Sequence, residues 1–197
     1  MGQDELLLET SKKAIAQCVE RFCHEQASSF LNDVTFAGLA KSPSLKQGDW
    51  AVSVCLQTES STVDLQVFFS EKANQAVLAK VMSAYPAPSR EYTGQEVMQE
   101  CLNVVIGRVK GLIATELKVS KGKKTFLPVA RKIESEADVQ TSTDIQYQSW
   151  WTMTWGEHVF AVSCQVDVST ILPPETLEAL KNAKLIDESS GEHLNFL

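Results

Sequence analysis

Two pairs of alternating runs constrain this chain more than anything else in it. Trp50, Val52, Val54 and Leu56 alternate with smaller residues, and after Glu59-Ser60-Ser61 so do Val63, Leu65, Val67 and Phe69. The pattern returns in Tyr147–Trp155 and His158–Val168, on either side of Gly156-Glu157. Period two sends successive side chains to opposite faces, so each pair reads as a hairpin with one face buried. Such a face needs a cover, and the chain supplies amphipathic helices for it. Residues from about Asp4 to Leu31 carry Ala14, Ile15, Cys18, Val19 and Phe22 at helical spacing. Ser70 caps a helix over Glu71 to Tyr85, which Pro86 and Pro88 stop. A longer helix runs from Thr93 to about Lys118, and Pro173-Pro174-Glu175 opens a short last one. With one more strand near Phe126–Ile133 and an irregular stretch from Asp33 to Asp49, the order predicts an α+β fold. Its helices pack on a mostly antiparallel sheet.

At 197 residues with 44% hydrophobic and 22% charged side chains, the chain is expected to bury a sizeable core as one domain. Its net charge of −7 argues against broad attraction to nucleic acid or an anionic membrane. No apolar run reaches the ~18 residues of a membrane span. The first residues, MGQDELLLET, carry early acids where a secretory signal has a basic region. They also lack the Ser or Thr of a myristoylation motif. Cys18, Cys23, Cys55, Cys101 and Cys164 form no CxxC pair and read as buried thiols of a reducing compartment. The expected location is the cytoplasm.

Several candidate sites fail on spacing. Cys18 and Cys23 lie ~500° apart around a helix, so with His24 they do not converge on a metal. Gly122-Lys123-Lys124-Thr125 echoes the end of a phosphate-binding loop, but Leu117 replaces the first glycine and the segment joins helix to strand in the wrong order. His24, His158 and His193 belong to no triad with a nucleophile elbow. Trp150, Trp151 and Trp155 sit in a strand, where core or subunit contact outweighs base stacking.

The helix from Thr93 is different. Thr93-Gly94-Gln95-Glu96 is a capping box, with Thr93 as N-cap and Glu96 at N3. At ~100° per residue, Met98, Cys101, Leu102, Val105, Val109 and Leu112 share a core-facing side. Glu96, Glu100, Asn103, Gly107 and Lys110 fall within an arc of about 80° on the opposite side. Asn is a poor helix former, and an interior Gly costs roughly 1 kcal/mol relative to Ala. A glycine one turn beyond Asn103 clears space for another protein's surface to approach Glu100 and Asn103.

At these residues the sequence resembles the CheC/CheX/FliY family of chemotaxis phosphatases, and the CheX type most. The family signature is Asp or Ser, three residues, Glu, two residues, Asn, and a later proline. Glu100-Cys101-Leu102-Asn103 supplies the ExxN core, Gly107 follows it, and Pro128 matches the proline. The Asp/Ser position holds Glu96, and the interval to Pro128, residues 104–127, is about two residues longer than usual. A single ExxN helix fits the CheX arrangement. The resemblance runs from about residue 10 to residue 168, which implies a CheX-like domain over 1–168 followed by a short helix and tail over 169–197.

The activity it implies is hydrolysis of an aspartyl phosphate on a phosphorylated CheY-like response regulator. The catalytic pair would be Glu100 and Asn103, with Glu96, Gly107 and Lys110 meeting the partner and Pro128 as a structural mark. No cofactor of the protein's own is implied, since the receiver domain brings Mg²⁺. The other reading is a non-catalytic CheX-like binding module in two-component signalling. A homodimer is expected as well: a proline inside a strand confines it to an edge, a strand start or a bulge, and an uncovered edge invites pairing.

Overall fold

The computed structural model describes residues 2–41, 46, 48–57, 61–84, 92–113, 125–133 and 147–184. In chain order these form α1 (Gln3–Phe30), β1 (Val34–Leu39), β2 (Trp50–Gln57), β3 (Ser61–Phe69), α2 (Glu71–Ala84), α3 (Gly94–Ile113), β4 (Thr125–Lys132), β5 (Tyr147–Trp155), β6 (His158–Val168) and α4 (Pro174–Asn182). The six strands make one sheet in the order β1-β5-β6-β3-β2-β4, with every neighbouring pair antiparallel. The expected α+β architecture is the one observed.

Alternation decides what each strand buries. Val52, Val54 and Leu56 of β2, Val63, Leu65 and Val67 of β3, and Val162, Cys164 and Val166 of β6 point to one face. There they meet Ile15, Val19 and Phe22 of α1, Ala73 and Val77 of α2, and Val105, Ile106 and Val109 of α3. Burying a side chain of this size contributes roughly 1.5–3 kcal/mol, so this one-sided core carries most of the stability. On the other face a smaller cluster gathers Ala51, Phe68, Ile133, Trp150 and Ala161, with the Phe68 and Trp150 rings stacked at 5.8 Å. The tryptophans divide as the alternation predicts: Trp151 and Trp155 join the large core and Trp150 the small cluster.

The segment 33–49, read from sequence as irregular, contains the edge strand β1, paired with β5 from Val34↔Trp155 to Leu39↔Trp150. Thr35, Ala37 and Gly38 are too small and polar to make its alternation visible, and only Val34 and Phe36 pack on the core. The opposite edge is β4. Ser53 pairs with Val129 and Cys55 with Phe126, so Leu127 and Pro128 together oppose Val54 in a bulge. Proline is tolerated there because a bulge on an edge strand asks no ladder hydrogen bond of it.

The C-terminal helix packs onto the helical side. Leu180 is fully buried, and Arg21 of α1 donates from Nη2 to the Leu180 and Ala183 carbonyls at 2.6 and 2.9 Å. Arg108 of α3 donates from Nε to the Lys184 carbonyl at 3.2 Å. Two guanidinium groups thus hold the carbonyl-rich end of α4, where a helix dipole favours positive charge. The sequence-based continuation of α3 to Lys118, the lysine-rich segment 118–124 and the tail past Lys184 lie outside the described residues.

Candidate functional site

Helix α3 lies on β2 and β4, flanked by α1, α2 and α4. Its start is fixed by the capping box foreseen in the sequence. Glu96 Oε2 accepts from the Thr93 backbone N–H at 2.8 Å and from its Oγ1 at 3.0 Å, and Thr93 Oγ1 accepts the Glu96 N–H at 3.3 Å. A second device fixes where that start sits: Gly94 packs against Asn74 of α2, and a Cβ there would overlap the Asn74 backbone oxygen and Oδ1. Sequence reasoning passed over Gly94, whose signal was a small residue at N1 beside an otherwise ordinary cap.

The core side is the one periodicity assigned. Met98, Cys101, Leu102, Val105 and Val109 are buried, and Leu112 packs partly against the same core. Opposite them, Glu100 and Gly107 are exposed, while Glu96, Asn103 and Lys110 are half-buried. Asn103 Nδ2 stands 3.5 Å from Glu100 Oε2, so the amide and the carboxylate sit side by side one turn apart. A Cβ at Gly107 would meet nothing within 4 Å, and the same holds at Gly111 one turn on. The open strip therefore extends further than the Gly107 reading, a repeat at i,i+4 that was present in the sequence. Glu96 stands apart from the others in being engaged with Thr93. The Pro128 backbone lies in β4, beside α3 on the sheet.

Chemically, the strip offers an exposed carboxylate, an amide that donates and accepts, and bare backbone beyond them. It holds no nucleophile paired with a base. Among the described residues no group of three or more His, Cys, Asp or Glu side chains is placed to hold a metal. No described helix is long and apolar enough to cross a membrane. Cys101, beside Glu100 but turned inward, has its pKa raised to about 12, chiefly by burial.

No protein-family model and no curated protein matches the sequence. Solved structures do match in shape. A CheC-like superfamily protein from Shewanella sp. PV-4 superposes with a TM-score of 0.53 at 12% identity, over 76% of this chain and 97% of that one. The chemotaxis protein CheX from Vibrio vulnificus gives 0.52 at 10% identity, over 78% and 99%. A chemotactic CheC-like protein from Shewanella oneidensis MR-1 gives 0.51 at 14% identity, over 77% and 99%. Nearly the whole of each of those proteins is matched by about three quarters of this one. The shared shape, with its antiparallel sheet and packed helices, establishes that the chain has a CheC/CheX-like fold.

Proposed function

We propose that this protein is a phosphatase of aspartyl-phosphorylated, CheY-like receiver domains, working through Glu100 and Asn103. The observation that carries the reading is their placement. In a CheC/CheX-like fold, the ExxN pair lies side by side on the outward strip of α3, on a helix whose start is locked by Thr93, Glu96 and Gly94.

The substrate already holds most of what the chemistry requires. A receiver domain carries the phosphorylated aspartate, a Mg²⁺ ion and a lysine, so the phosphatase has only to complete the arrangement. Glu100 pairs with that lysine and sets the register of docking. Asn103 then places its amide beside the phosphoryl group and orients a water for in-line attack. Phosphoryl transfer asks a protein for positioning and electrostatics more than for covalent chemistry. An amide suits this task because it carries no charge to repel phosphate. Gly107 leaves room for the partner's backbone, and Lys110 stands at the far end of the same strip.

A homodimer belongs to the same proposal. The bulge and Pro128 blunt the β4 edge, whereas β1 presents an edge without proline. Edge pairing through β1 leaves α3 open to the receiver. The described part of the C-terminal segment packs against α1 and α3 and leaves that edge uncovered. The test of the activity is the decay of phosphorylated receiver domains from the same genome with and without the protein. Acceleration of at least one of them is expected, and no acceleration of any would refute the reading.

A further inference from the structure

Behind α3, on the side away from Glu100 and Asn103, lies a pocket with a free volume of about 30 Å³. Cys23, Gln26, Phe36, Met98, Cys101 and Met153 are among its walls. Cys23 and Phe36 are half-buried while the other lining residues are buried, so the mouth opens between α1 and the edge strand β1. Two thiols and two thioethers therefore line one small apolar space. Gln26, only 2% exposed, donates from Nε2 to Cys101 Sγ at 3.9 Å, and its Oε1 has no hydrogen-bond partner.

Size and chemistry narrow the occupant. An aromatic ring needs a cavity on the order of 150 Å³, far more than is present. A water molecule fits but wants two to four polar partners, and here it finds one amide oxygen and weakly bonding thiols. Hard cations want several oxygen ligands, and zinc wants four strong donors. Thiolate and thioether sulfur in an apolar shell select a soft, low-charge ion.

We infer that the pocket is a site for one copper(I)-type cation, bound by the sulfurs of Cys23 and Cys101 with the thioethers of Met98 and Met153 beside it. Each thiol gives up its proton as its sulfur binds, so one cation enters, two protons leave and no oxidation state changes. The Gln26 amide, donating to the Cys101 sulfur, spreads the negative charge of the two-thiolate complex. The bound ion ties α1 to α3 and so stiffens the helix that carries the outward strip. The site does not depend on the function proposed above.

Copper(I) titration of the reduced full chain, without oxygen and against a chromophoric copper(I) chelator, tests the inference. One ion per chain is expected, with a first shell made of sulfur alone by X-ray absorption. Cys23→Ser and Cys101→Ser should each weaken binding at least 100-fold, with folding confirmed by circular dichroism and Cys→Ala variants substituting for any that unfold. Cys55→Ser, on the opposite face of the sheet, should leave binding unchanged. Binding that survives in the Cys23/Cys101 double variant, an oxygen or nitrogen first shell, or failure to retain copper(I) against the chelator would overturn the site.

Discussion

Asn103 stands one helical turn from Glu100, its Nδ2 3.5 Å from Oε2. A contact of that length is weak, so neither side chain is committed to the other and both are available to an approaching partner. The two should fail differently when truncated. Glu100→Ala removes a charge pair, and receiver binding should weaken by up to a few kcal/mol, read as a rise in Kd or KM. Asn103→Ala removes an interaction made as the transition state forms, so kcat should fall with little change in affinity.

Glu96 is the strip residue whose bonds point elsewhere. Because it closes the capping box with Thr93, Glu96→Ala should lower stability by about 1 kcal/mol while leaving kcat near the wild-type value. A large loss of receiver affinity at unchanged stability would instead assign Glu96 to the interface.

The two glycines of α3 predict opposite outcomes. Gly107→Ala meets open space and improves helix propensity, so the helix should gain roughly 0.5–1 kcal/mol while receiver docking weakens. Gly94→Ala drives a methyl group into the Asn74 carbonyl, and overpacking of this kind costs about 1–3 kcal/mol. Thermal unfolding of both variants beside their receiver affinities checks the pair.

These contrasts show what could be read from the sequence and what could not. The outward strip was legible because helical periodicity sorts Glu100, Asn103 and Gly107 from Met98, Cys101 and Val105 without any tertiary information. Both hairpins were legible for the same reason with period two. Strand β1 was not, since Thr35, Ala37 and Gly38 give no alternation and its pairing with β5 spans over a hundred residues of chain. The Gly94–Asn74 contact was hidden likewise, because it joins two helices whose approach no local pattern encodes.

Stability should depend on pH through His24. Its ring stacks on Phe36 with centroids 3.8 Å apart, faces Trp151 edge-on and has Glu20 as its nearest carboxylate at 3.9 Å. Burial lowers its pKa below the usual 6.5, and burial raises that of Glu20. The unfolded chain then binds a proton at His24 more readily than the folded one. Stability from this residue is full above pH 6.5 and declines as the pH falls toward the lowered value. Glu20 acts in the opposite sense, at lower pH, nearer the carboxylate range. Urea midpoints at pH 7.5 and 5.5 should differ less in His24→Gln than in the wild type.

For the subunit arrangement, sedimentation at micromolar concentration should give a mass near twice 21.8 kDa. A proline or lysine at Thr35 on the β1 edge should shift the chain toward monomer. A monomeric mass that does not change with concentration would remove the dimer from the account.

The decay of a phosphorylated receiver domain, followed with the wild-type protein and with Asn103→Ala at equal concentration, bears most directly on the proposed chemistry. The wild type should accelerate phosphate loss, and Asn103→Ala should bring decay at least tenfold closer to the receiver's own rate while still binding it. Equal acceleration by both proteins would contradict the role given to Asn103. Tight binding of the receiver by the wild type with no acceleration would identify a binding module instead of an enzyme.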